Sequence, residues 1–345
     1  MSSGKEVKAA FKKASTWGTA VAVVDADALL ITNESITRTR EHLPDESAGQ
    51  AFHVDSDRGL VTCGGDMGAY MRYQGLEVLL AMALGTAGAP TQLESSTAYQ
   101  HELRLADDTD GLFGTLALYK GISAHEYAGC KVDGFTLEGE AGQPLNVTLN
   151  LICDDLAINT TSGTNTAAAL AALVTPARGN RVLFRQGQFL INDASDAALT
   201  SGDAIAPNRF SLTFKRGLVG DHLAGGNDII AEPTCAAFPE ISLNLEFPAY
   251  TSDTFLNDMG ADTRKKMSLT FTGGEIEPGY NYKLEVLIPH LVLTNAEAAV
   301  DRAGKIAHPI TASLLGAETA PSGMEGITAP FAVNLVNTRT SDCLA

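Results

Sequence analysis

Leu145-Asn146-Val147-Thr148-Leu149-Asn150-Leu151 carries an apolar side chain at every second position, with Asn or Thr between. In an extended strand successive side chains point to opposite faces, so this stretch offers one face to a core and one to water. Such a strand belongs to an antiparallel sheet wetted on one side. The alternation recurs in Phe210, Leu212 and Phe214 against Ser211, Thr213 and Lys215. It recurs again in Ile241, Leu243, Leu245 and Phe247 against Ser242, Asn244 and Glu246, and in Met267, Leu269 and Phe271 against Ser268, Thr270 and Thr272. The chain reads as mainly β.

The period changes after Gly75, where Leu76, Leu79, Leu80, Ala83 and Leu84 form a stripe at helical spacing that stops at Gly85. A shorter helix is expected from about Thr254 to Met259, ending at Gly260, and Lys5 to Lys13 suggests a weak amphipathic turn or two. Asn159 to Thr166 is rich in Ser, Thr, Asn and Gly and reads as a linker into the alanine run Ala167 to Ala172.

With 345 residues the chain can bury two cores of ordinary size. A 45% hydrophobic and 19% charged composition is that of a folded protein. No run approaches the roughly 18 to 20 apolar residues of a spanning helix, so no membrane partner is expected. Met1 to Ala14 lacks the apolar core of a secretory signal. The cysteines, Cys63, Cys130, Cys153, Cys235 and Cys343, are odd in number and widely spaced, and are expected as reduced thiols of a cytoplasm. A formal charge of −17 disfavours binding to nucleic acid through phosphates.

The two halves repeat one order of elements. A polar strand around Ile36 to Glu41, a loop with Gly49, a strand reaching Tyr73 and the helix to Gly85 are echoed by Phe210 to Arg216, a loop with Gly225 and Gly226, a strand reaching Tyr250 and the helix to Gly260. Arg38 precedes Tyr73 by 35 positions (73−38), as Lys215 precedes Tyr250 (250−215). Each half closes with an outgoing strand, Phe135 to Glu140 or Leu291 to Thr294, and a proline-led return at Pro144 or Pro309. The expected division is a first domain with an N-terminal arm at 1–158, a linker at 159–174, a second domain at 175–320 and a C-terminal tail at 321–345.

The run Gly65-Asp66-Met67-Gly68-Ala69-Tyr70-Met71-Arg72-Tyr73-Gln74-Gly75-Leu76-Glu77-Val78-Leu79-Leu80 resembles the strand-then-helix segment of tail tube proteins of long-tailed, siphovirus-type bacteriophages. Phe11 to Thr19 and Gly134-Phe135-Thr136-Leu137-Glu138-Gly139-Glu140 resemble that family too. The resemblance implies two tandem tail-tube β-sandwich, barrel-forming domains, each with a flanking α-helix. It implies rings that stack into a tube, with three two-domain subunits making a pseudo-sixfold ring where single-domain relatives use six; a hexamer of one domain with a decorating second domain is the alternative. Implied partners are further copies of the chain, a tape-measure protein, the tail terminator and baseplate or distal tail proteins. DNA would pass through the lumen on ejection without specific binding. The place implied is the virion tail, assembled in the host bacterial cytoplasm.

On this reading the polar strand supplies lumen candidates, Thr32, Glu34, Thr37, Arg38, Thr39 and Arg40, with Lys215 from the second copy, although an ordinary edge strand or loop would have the same composition. Long loops at Glu41 to Gly65 and Gly217 to Ala237 are inter-ring candidates, through Asp45, Asp55, Asp57, Asp221 and Asp228, with the residues before Thr19 as an arm. An acidic lumen would repel duplex DNA from all sides and let it slide.

Catalytic and cofactor chemistry finds no foothold. The histidines, His42, His53, His101, His125, His222, His290 and His308, lie apart, and no HExxH, GxSxG, Walker or dinucleotide motif is present. Asp55-Ser56-Asp57-Arg58-Gly59 lacks the spacing of a calcium loop, and Asp107, Asp108 and Asp110 before Gly111 read as a hairpin turn. No cofactor or metal is expected. Trp17, Tyr73 and Tyr250 read as packing residues. A capsid decoration or minor virion protein, or a carbohydrate-binding adhesin-like β-module, would share the β-rich pattern; the latter would show aromatics along one strand face.

Overall fold

The computed structural model describes residues 3–49, 51–159, 161–225, 228–300 and 303–345. Its principal strands are β1 (Lys8–Lys13), β2 (Thr37–Pro44), β3 (Ser56–Tyr70), β4 (Tyr99–Leu105), β5 (Gly114–Tyr119), β6 (Ala124–Glu140) and β7 (Asn146–Cys153). They continue as β8 (Gly187–Asp193), β9 (Arg209–Lys215), β10 (Glu240–Phe247), β11 (Lys265–Glu277), β12 (Tyr280–Asn295), β13 (His308–Leu314) and β14 (Ala332–Asn337). Burial alternates along β7, β9, β10 and β13 as the residue pattern requires.

The halves share one strand order. In the first, β2 pairs with β3, β3 with β7, β7 with β6 and β6 with β5. In the second, β9 pairs with β10, β10 with β13, β13 with β12 and β12 with β11. Every one of these pairings is antiparallel. Even the irregularities match: a bulge between Val132 and Gly134 in β6 is mirrored between Leu293 and Asn295 in β12.

The halves meet in the sheet itself. β6 is long enough to serve two neighbours along one edge, β5 beside Ala124–Cys130 and β9 beside Gly134–Glu140. The order β2-β3-β7-β6-β9-β10-β13-β12 therefore runs unbroken from one half into the other. The core is continuous too: Phe135 of β6 lies 5.7 Å from Phe214 of β9, and both approach Phe331. Phe189, Phe210 and Phe271 form a second aromatic group under the second half. Burying each such ring contributes about 2–3 kcal/mol.

Helix α1 (Glu77–Leu84) lies on β6, and α3 (Thr254–Gly260) lies on β12, the equivalent strand. Buried residues extend well round α1, beyond the expected stripe, and include Glu77, which accepts from Gly75 N–H and the Asn337 amide. Gly85 ends α1 at φ 97°, where a Cβ would stand 2.7 Å from the Ala106 Cβ, so two constraints select glycine there. Within 159–174, Ala167–Ala172 forms α2, capped by the Thr166 hydroxyl, with Leu170 packed against Ala10, Ala117 and Ala124.

Several expectations are corrected. Lys8–Lys13 forms a strand between Ala28–Leu29 and β5, not helical turns, because Ala9, Ala10 and Phe11 are buried in its sheet. The segment before and after Gly111 is no simple hairpin, since β4 pairs with β14 while β5 pairs with β1 and β6. Cys130 and Cys153 are bonded as a disulfide, brought opposite each other by the β6–β7 register; a separation of 23 residues carries no hint of this. Cys63 and Cys343 are buried free thiols, each pushed up to about 12 chiefly by burial. Residues 321–345 contain β14, a strand buried along its length between β4 and β12.

Candidate functional site

The β2-to-β12 sheet has one apolar face and one polar face, and the register aligns the polar side chains in rows across the junction. Thr148, Thr136, Thr213, Ser242 and Ser313 follow one another on adjacent strands. Asn146, Glu138, Ser211, Asn244 and Thr311 form the next row, with the Ser211 hydroxyl 3.4 Å from Glu138 and the Thr311 hydroxyl donating to Asn244 at 2.9 Å. Lys215 lies between Gly134 and Glu240. Acids outnumber bases along this face: Asp66, Glu138, Glu140, Glu240 and Glu246 stand against Arg209 and Lys215. Each of these residues is readable as the polar half of an alternation, but only the register assembles them into one surface.

The expected lumen residues divide between two faces. Pairing aligns Asn150 with Asp66 and Thr311 with Asn244, so Asp66 and Asn244 are equivalent. Ser35 N–H donates to Asp66 O at 2.8 Å and Ser211 pairs with Asn244, which makes Ser35 the counterpart of Ser211. Counting on, Thr39 matches Lys215 and Arg40 matches Arg216; the Arg38–Lys215 match is off by one residue. In a strand one step reverses the face. Thr37 and Thr39 thus share the polar face with Lys215, while Arg38 and Arg40 lie on the face that in the second half carries Phe214 and Arg216. Arg38 is ion-paired with Asp155, and Glu34 takes Lys120 at 2.7 Å. Thr32 is exposed, and its N–H donates to Gly68 O at 2.8 Å.

The edges of the sheet are unlike. β9 has neighbours on both sides, β10 and β6. Its counterpart, Asn33–Glu34 continued by β2, pairs on one side only, with β3, among the described residues. At the far end β12 pairs with β11 up to Leu291, and beyond it Leu293–Asn295 has β13 on one side and no described strand on the other. In the first half the counterpart of Asn295 is Gly134, where the edge Gly134–Glu140 filled by β9 begins; residues 296–300, which follow Asn295, form no strand.

The two long loops behave differently. Residues 41–58 are exposed throughout, apart from Gln50, which lies outside the described residues. Asp45, Asp55 and Asp57 sit on this projection with Phe52 and Val54, which are 82% and 77% exposed. The 217–237 loop, whose Gly226 and Asn227 lie outside the described residues, folds back onto the first half. Buried Lys131 meets Glu232 and the Pro233 carbonyl, both at 2.7 Å, Trp17 Nε1 donates to Ile230 O, and Asp228 takes Arg40 Nη1 at 2.5 Å. The Asp221 carbonyl accepts from Ala231 N–H within the loop.

Arg216 is a residue that no motif or spacing singles out. It is fully buried, follows the last residue of β9 and stacks over Phe214. Its guanidinium donates to Ala83 O at 3.1 Å and Leu84 O at 2.9 Å at the end of α1, the latter also accepting from Ala106 N–H, and to Ala106 O at 2.9 Å. An arginine of the second half thus caps a helix of the first. No cluster of metal-binding side chains occurs among the described residues.

Comparison with curated proteins finds none that matches. A family model described as phage tail tube protein matches residues 4–335, nearly the whole sequence. The chain belongs to the phage tail tube protein family.

Proposed function

We propose that the chain is the subunit of a siphovirus-type tail tube, that three copies close into a pseudo-sixfold ring, and that stacked rings form the conduit for DNA ejection. The observation that carries this reading is the internal junction. One half already joins the other edge to edge, through β6 and β9, and the edges left without a described partner, Asn33–Glu34 with β2 and Leu293–Asn295 of β12, belong to the counterparts of those two strands. Unlike edges give a head-to-tail contact, which closes into a ring when the rotation permits. Closure would also remove exposed strand edges that otherwise invite aggregation.

In such a ring the polar face lines the lumen. Its surplus of carboxylates suits passage of duplex DNA, whose phosphates would be repelled from every side. Thr37, Thr39 and Lys215 are the lumen residues on this reading. The exposed 41–58 projection is the contact to the adjacent ring. The chain works without catalysis or cofactor, alongside a tape-measure protein, a terminator and distal tail proteins, in a tail assembled in the host cytoplasm. A sugar-binding module would show aromatics along a strand face; here Thr, Ser, Asn and Glu occupy it.

Negative-stain electron microscopy with light scattering on the smallest stable assembly tests the reading. Hollow tubes or three-subunit rings with six lobes are expected, and a monomer that persists at every salt concentration would reject it.

A further inference from the structure

Arg40 in the single chain contacts a carboxylate, Asp228, and the Gly59 carbonyl, whereas its counterpart Arg216 caps a helix across a strand junction. From this difference, and resting on the ring reading above, we infer that Arg40 is a ring-closing residue. In the ring it caps helix α3 of the neighbouring copy as Arg216 caps α1 within the chain.

The register follows from the internal junction. There Gly134 pairs with Lys215, and Arg216 N–H donates to Asp133 O at 2.7 Å. The matched bulges make Thr294 the counterpart of Asp133 and Asn295 that of Gly134. Transfer of the pattern sets Thr39 of one copy opposite Asn295 of the next, with Arg40 N–H directed at Thr294 O. α3 lies on β12 as α1 lies on β6, and it ends at Gly260 as α1 ends at Leu84. The Arg40 guanidinium then reaches the Met259 and Gly260 carbonyls. Met259 O already accepts from Asp262 N–H, as Leu84 O does from Ala106 N–H, but helix-end carbonyls still carry partial negative charge, so an arginine there is favourable for the same reason in both places. Before closure, Asp228 holds the guanidinium, and Arg38 stands where the second half has buried Phe214, keeping the open edge charged. Charge on an edge strand discourages wrong pairing.

Two measurements test this in the full-length chain. A Thr39→Cys/Asn295→Cys double variant, oxidised mildly after ring formation, is expected to give covalent dimers and trimers on a non-reducing gel, with each single variant giving none. Arg40→Gln is expected to keep the unfolding midpoint of the wild-type monomer while raising the concentration needed for ring formation about tenfold or more, the factor that corresponds to losing a charge-assisted hydrogen bond. Arg40→Lys should not restore it, since one ammonium cannot reproduce a guanidinium fork. Rings of the double variant that yield no cross-linked species, or an Arg40→Gln threshold equal to that of the wild type, would overturn the Arg40 assignment and leave the tube reading standing. A wild-type chain that never forms rings would overturn both.

Discussion

At the scale of single residues, the most consequential side chain is one the alternation hides. Arg216 continues the apolar side of β9 yet carries a charge into the interior, where backbone carbonyls and the Phe214 ring surround it. Buried charge survives only when its donors are satisfied, and here the acceptors are two carbonyls at the end of α1 and that of Ala106. Removing it takes that donor from Ala83 O and Ala106 O, while Leu84 O keeps Ala106 N–H. Arg216→Ala is expected to destabilise the chain by about 3 kcal/mol or more, read as a shift in the urea midpoint, with Arg216→Lys recovering only part of it. A midpoint within error of wild type would show that water replaces the guanidinium freely. Sequence reasoning can see that an arginine followed by Gly217 ends the strand; it cannot see α1, 132 residues away, waiting for a donor.

At the scale of elements, strands are legible because one face of each is wet: Asn and Thr mark it against Leu and Val in β7, and Ser and Asn against Leu in β10. α1 is legible through its spacing and Gly85. Lys8–Lys13 misleads because only six residues are involved, and Lys at both ends with Ala and Phe between suits a short helix as well as a buried strand. The polar strand invites a one-residue slip, since Arg38 has around it no periodic apolar pattern like the one that places Lys215; the hydrogen bond of Ser35 to Asp66 fixes it. The 41–58 projection is exposed and carries little of the core, so its removal tests assembly apart from folding. Deleting residues 44–58 and bridging the ends with a short glycine-serine turn should give folded, soluble subunits that form no tubes under the electron microscope. Tubes of normal length from that variant would assign the ring-to-ring contact elsewhere.

At the scale of the whole molecule, the repeat is visible as an order of elements, but its meaning as one continuous sheet is not. β6 and β9 lie in different halves, and nothing local in Gly134–Glu140 announces that Arg209–Lys215 will lie beside it. Charge also acts at this scale. Copies bearing −17 each must approach closely to assemble, so long-range repulsion opposes them until salt screens it. Raising ionic strength from about 0.1 M to about 1 M shortens the Debye length from roughly 10 Å to roughly 3 Å and should lower the threshold for ring formation in light scattering. A threshold that rises with salt would mean that opposite charges meeting across the interface outweigh the repulsion.

The position of β14 bears on how the polypeptide emerges during translation. β4 is complete early, yet its partner comes from residues 332–337, so His101 meets Asn337 across 236 positions. While those later residues are still inside the ribosome, Tyr99–Leu105 lacks the strand that covers it, and β12 lacks the same strand on its N-terminal half. Contacts this distant in sequence form slowly. A fragment that stops before residue 332 would leave one edge of each strand unpaired, and an unpaired edge invites association with other chains.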